Sequence, residues 1–76
     1  MTSERLRQFV RARPFRPFRV VMTNGQVYDV NHPEFLAVSP RDDTAVVYQD
    51  NGDLSVLDVL LLTEVQVFAP EAAHAG

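Results

Sequence analysis

The chain has 76 residues, enough for one small domain and near the lower limit for folding without a disulfide or a metal. It contains no cysteine, tryptophan or lysine, which excludes a disulfide framework, a thiolate nucleophile, a CxxC redox pair and Cys-ligated zinc. The formal charge of −3 is unevenly spread: residues 1–19 hold six of the seven arginines and carry net +5, while residues 20–76 carry net −8.

Residues up to Arg13 read as a short helix over 3–13, with Ser3 as its cap. Leu6, Phe9 and Val10 recur at i, i+3 and i+4 and form one narrow apolar stripe that can lie on the rest of the domain. Pro14 ends the helix, because proline disfavours helical angles in the residue before it. The repeat Pro14-Phe15-Arg16-Pro17-Phe18-Arg19 favours extended backbone and is expected to run straight into the first strand.

From there the reading is β. Residues 18–23 are rich in strand formers, and Asn24-Gly25 is the favoured pair for a tight primed turn into a second strand over 26–30. A two-residue turn would place Met22 opposite Val27, Val20 opposite Asp29 and Val21 opposite Tyr28. Neither face of that hairpin is purely apolar, so either strand one is covered on both sides or the turn is longer. Asn31-His32-Pro33 interrupts the second strand, since Pro33 cannot donate to a ladder. Residues 35–39 are strand-like and 44–49 form a clear strand. Asp50-Asn51-Gly52-Asp53 is a second Asn-Gly turn, answered by a strand over 54–57. Residues 58–61 break the alternation as one helical turn, and 63–68 alternate again with Val65 and Val67 on one face. Residues 70–76 read as a flexible tail. The longest apolar runs, such as residues 59–62, fall far short of the ~20 residues that span a bilayer, and residues 1–19 hold no apolar stretch of signal-peptide length. A cytoplasmic protein without membrane contact is therefore expected.

Together these elements predict a mainly β fold: a small five-stranded barrel over 18–68 with a short N-terminal helix plugging one end. A flat five-stranded sheet would leave two long edges, which a monomer avoids by closure or cover. The alternative is an open antiparallel sheet with the helix across one face.

The order of N-terminal helix, strand, Asn-Gly turn, further strands and a helical turn before the last strand resembles the SH3-like and Sm-like small barrels. Residues 18–25, Phe-Arg-Val-Val-Met-Thr-Asn-Gly, look like the opening strand and turn of an Sm-like protein, including the bacterial host-factor type. The pairing of PFRPFR (14–19) with His32-Pro33-Glu34 is similar to a group of short uncharacterised bacterial proteins, which implies no particular activity. Asp29 stands near the place where Sm-like proteins usually have a glycine. Residues 57–64, where their RNA-binding residues lie, are acidic and apolar here. The resemblance therefore implies a topology and no RNA-binding residues.

Few residues suggest chemistry. His32 lies between Asp29 and Glu34, but a metal site needs three or four converging ligands, and the other histidine, His74, is in the tail. His32 and Glu34 read instead as satisfying local backbone groups at a bulge. Asp42-Asp43 and Asp50-Asn51-Gly52-Asp53 lack the distal glutamate and flanking helices of a calcium loop and read as turns. Ser3, Ser39 and Ser55 sit in no GxSxG elbow, and no glycine-rich phosphate loop is present. No enzymatic activity, metal or cofactor is expected.

The arginine-rich segment is the main functional signal. The expected function is a protein-interaction module that self-associates, with Phe15 and Phe18 anchoring the segment and Arg16 and Arg19 meeting acids such as Asp42, Asp43, Asp50 or Asp53. The partner is then a second copy or another protein. The alternative is weak RNA or DNA binding through Arg5, Arg7, Arg11, Arg13 and Arg16, with the rings stacking on bases. The −8 remainder of the chain would repel a polyanion, whereas self-association uses both halves of the charge asymmetry.

Overall fold

A computed structural model describes residues 1–41 and 43–69. The chain folds as helix α1 (Ser3–Arg11), strands β1 (Phe18–Met22) and β2 (Val27–Val30), a 3-10 turn (Pro33–Phe35), strands β3 (Leu36–Val38), β4 (Thr44–Tyr48) and β5 (Leu54–Asp58), a second 3-10 turn (Val59–Leu61), and strand β6 (Leu62–Val67). The fold is mainly β, as the alternation predicts. The expected five-stranded closed barrel does not form, and neither does a single open sheet. Six strands make two three-stranded antiparallel sheets, ordered β2-β1-β6 and β3-β4-β5. The physical cause lies at Asn31-His32-Pro33: Pro33 has no N–H to donate and opens a 3-10 turn, so β2 and β3 end in different sheets. The turn at Val59–Leu61 does the same between β5 and β6.

α1 is two residues shorter at its C-terminal end than the sequence suggests, and its cap is Thr2 rather than Ser3. The Thr2 side chain accepts from the Arg5 N–H at 3.2 Å. Ser3 is already helical, and its hydroxyl donates to Asp43 Oδ1 at 3.0 Å, tying the start of the helix to the loop before β4. α1 lies against β3 and the first 3-10 turn. Leu6 is fully buried and Phe9 and Val10 partly so, as their spacing requires. The expected tail over 70–76 lies outside the described residues.

The two hairpins share one geometry. In the first, Gly25 N–H donates to Met22 O at 2.9 Å and Met22 N–H to Gln26 O at 2.8 Å. In the second, Gly52 N–H donates to Gln49 O at 3.0 Å and Gln49 N–H to Asp53 O at 2.8 Å. Both glycines have left-handed φ, +89° and +94°. These are three-residue loops that end on a left-handed glycine, not two-residue primed turns. The extra residue slips β2 by one, so Phe18 faces Val30, Arg19 faces Asp29 and Val20 faces Tyr28. A one-residue slip moves every side chain to the other face. It resolves the mixed faces of the two-residue reading: Phe18, Val20 and Met22 all point inward and are buried. A Cβ on either glycine would meet nothing within 4 Å, so the cost of Gly25→Ala is purely conformational. It is expected to lower stability by about 1–2 kcal/mol, measurable as a shift in the urea midpoint with unchanged slope.

The core is formed by Leu6, Phe18, Val20, Met22, Val30, Leu36, Ala45, Val47, Leu57, Val59 and Leu62. Both sheets and α1 contribute to it. Between Val21 and Met22 the β1–β6 register shifts, so that Met22 meets Leu62 and Thr63 is left over as a bulge. That bulge turns Leu62 inward. Among the described residues no helix is long and apolar enough to cross a membrane.

Candidate functional site

The arginine-rich segment is fastened to its own chain. Phe18 is 0% exposed, and its ring meets Phe9 at 5.8 Å and Phe15 at 5.9 Å between centroids. Phe15 and Phe18 thus anchor the segment from inside the domain. Arg19 and Asp29 are directly opposed in the β1–β2 register, and Arg19 Nε donates to Asp29 Oδ1 at 2.7 Å. That hydrogen bond, with the charge of the carboxylate, holds the Arg19 guanidinium above its usual pKa. The same guanidinium lies 5.5 Å from the centre of the Phe68 ring. Arg16 Nη2 donates to the carbonyl oxygen of Phe68 at 3.2 Å. Neither arginine meets Asp43, Asp50 or Asp53 within the chain, because register hands Arg19 to Asp29 and proximity hands Arg16 to the end of β6. Asp42 lies outside the described residues.

The other arginines divide into two groups. Arg7 pairs with Glu4 at 3.1 Å and donates to Ser39 O at 2.6 Å, bridging α1 to the end of β3. Arg13 donates to the carbonyl oxygens of Val10 at 3.2 Å and Ala12 at 2.8 Å, neutralising the end of the helix. The exposed side chains of Arg5 and Arg11 make no hydrogen bond or ion pair with the described residues.

Among the described residues the His32 ring makes no hydrogen bond to a backbone group. It packs edge-on against Phe35, 4.8 Å between centroids, while the His32 carbonyl accepts from the Phe35 N–H. Among the described residues no group of three or more His, Asp or Glu is placed to hold a metal. Asp50, Asn51 and Asp53 form the second hairpin loop, where Asn51 Oδ1 accepts from Asp53 N–H at 2.9 Å. Asp29, Phe35, Tyr48 and Asp50 border a shallow recess of about 300 Å³, but its Asp29 is already committed to Arg19.

The feature that sequence reasoning missed is the outer face of the β3-β4-β5 sheet. Ala45, Val47 and Leu57 point inward and are buried. Ala37, Val46 and Val56 align across the opposite face, as do Tyr48 and Leu54 on β4 and β5. Tyr48 is 46% exposed, Leu54 53% and Val56 65%. The adjoining 3-10 turn adds Leu60 and Leu61, also exposed. A sheet with one buried face normally carries polar residues on the other. The signal was present in the sequence: Val46-Val47-Tyr48 and Leu54-Ser55-Val56-Leu57 place apolar residues on both sides of the pleat. Between β5 and the first hairpin runs a groove of about 360 Å³, walled in part by Met22, Tyr28, Val56 and Leu61. No family model, curated protein or solved structure matches this chain.

Proposed function

We propose that this chain is a non-enzymatic protein-interaction module of SH3-like or Sm-like topology that self-associates. The single observation that carries the proposal is the apolar outer face of the β3-β4-β5 sheet, which ends on β5, a strand paired with β4 on one side and with no strand of the described residues on the other. Contiguous exposed apolar surface of this kind marks an interaction site, and an uncovered strand edge is a template for pairing. The topology is supported by β1, which pairs with both β2 and the last strand, and by the 3-10 turn immediately before that strand.

The arginine-rich segment enters this reading as part of the fold, since Phe18, Arg16 and Arg19 are engaged within the chain. In this reading the apolar face, and not the charge of the segment, drives assembly, so the salt dependence differs from that of an arm-to-body ion pair. An apolar seam between copies that each carry −3 is unchanged or slightly strengthened by salt, whereas charge-driven association weakens as the Debye length falls. Sedimentation at tens of micromolar, in low and high salt, is expected to show an oligomer at both. A monomer at both salts overturns the proposal, and dissociation at high salt returns the arginines to the interface.

Nucleic-acid binding is the competing proposal, favoured by the unengaged side chains of Arg5 and Arg11. Arg7, Arg13 and Arg16 already donate to backbone carbonyls. With two free phosphate ligands the log–log salt slope on duplex DNA would be about −2. Anisotropy with labelled single-stranded RNA and duplex DNA tests it directly.

A further inference from the structure

We infer that β5 is a homodimer seam: it pairs antiparallel with β5 of a second copy, about a two-fold axis passing beside Val56. This rests on the self-association reading and specifies its geometry.

The four sheet edges are not equivalent. β3 is three residues long and lies beneath α1. β2 carries the charged pair with Arg19 and stops at Asn31-His32-Pro33. β6 is bulged at Thr63 and presents Glu64 and Gln66, which hydrogen-bond to each other at 3.1 Å. Shortness, cover, charge and bulges are how proteins protect edges. β5 has neither bulge nor proline: it is five residues long, unbroken in register against β4, exposes Leu54 and Val56, and carries its one charge, Asp58, at its last position.

The backbone of β5 is complementary to itself. Gln49 and Asp53 form a hydrogen-bonded pair at the hairpin, and such pairs alternate along an antiparallel ladder. Ser55 and Leu57 therefore turn their amides and carbonyls to β4, while Leu54, Val56 and Asp58 turn theirs to the edge. An antiparallel partner centred on Val56 sets Val56 against Val56 and Leu54 against Asp58, so the outward-facing groups of one copy meet those of the other. Each Asp58 carboxylate lies opposite a leucine, and no like charges are opposed across the seam. A groove runs beside β5, between the strand and the first hairpin. Because the contact is the same patch on both copies, it closes at two and consumes the unprotected edge. The other edges of the two sheets would bring a bulge (β6), the Arg19–Asp29 pair (β2) or the cover of α1 (β3) to the seam.

The absence of native cysteine allows a direct test. Across a hydrogen-bonded antiparallel pair the Cα atoms are ~5.5 Å apart, within the range a disulfide spans. Under a mild oxidant, Val56→Cys is expected to cross-link to itself roughly tenfold or more faster than Val67→Cys on β6, since pre-association raises the effective thiol concentration. Leu54→Cys and Asp58→Cys are expected to cross-link when mixed, and far more slowly when each is oxidised alone. If the native protein sediments as a dimer but Val56→Cys cross-links no faster than Val67→Cys, the seam is overturned while self-association stands. A native protein that is monomeric throughout overturns both.

Discussion

Phe18→Ala is expected to remove a large share of the protein's stability at 25 °C. The ring is fully buried, belongs to the central strand of its sheet, and packs between Phe9 of α1 and Phe15 of the extended segment. Removing a buried aromatic side chain costs about 3–5 kcal/mol, from lost transfer energy and the cavity left behind. A domain of this length has about 4–11 kcal/mol in total. Urea denaturation followed by far-UV circular dichroism is expected to show a midpoint shifted far toward zero urea for the variant, with a shortened native baseline. A midpoint within error of the native protein would remove Phe18 from the centre of the core. Phe18→Leu keeps most of the volume and should recover more than half of the loss.

Leu6→Ala should cost about 2–5 kcal/mol by the same arithmetic, and its effect is more local in origin. A nine-residue helix does not hold in water by itself, so α1 depends on its packing against β3 and the first 3-10 turn. Leu6 is the helix's one fully buried hydrophobic side chain, with Phe9 and Val10 partly exposed. Its loss is expected to free α1 before the sheets unfold, so amides of residues 7–11 should exchange with solvent sooner than those of β1 and β4. Uniform loss of protection across helix and sheets would show instead that helix and sheets unfold as a single unit.

Much of this fold is legible in the residues, for reasons that can be stated. The helix stripe, the break at Pro33, the two Asn-Gly loops and the turn before the last strand follow from local chemistry, and local chemistry decides where elements begin and end. What was not legible depends on what lies opposite. Whether Asn24-Gly25 closes a two- or a three-residue loop is decided by Phe18, Val20 and Met22 needing one common face, and that demand comes from the core. The Arg19–Asp29 pair follows from the register once the loop length is known, and from nothing earlier. Sheet membership is tertiary as well: Pro33 announces an interruption without saying that the strands on either side join different sheets. Leu54, Val56 and Leu57 are all apolar, so the pattern of β5 could not say which face is buried; Leu57 won that place through Ala45 and Val59 in the core. The intrachain contacts of the arginine segment are of the same kind: its charge is plain in the sequence, but the fastening of Phe18 into the core and of Arg7, Arg16 and Arg19 to Ser39, Phe68 and Asp29 depends on what the fold sets beside them.

Amide hydrogen exchange along β5 gives the account its sharpest trial, because the strand carries its own control. Ser55 and Leu57 donate toward β4 and are protected in any folded state. Leu54 and Val56 find acceptors only across the seam. Their exchange is expected to be slow at high protein concentration, to quicken on dilution, and to become fast in Val56→Lys with Ser55 and Leu57 unaffected. Free-amide exchange at Leu54 and Val56 at every concentration, beside protected Ser55 and Leu57, would contradict it.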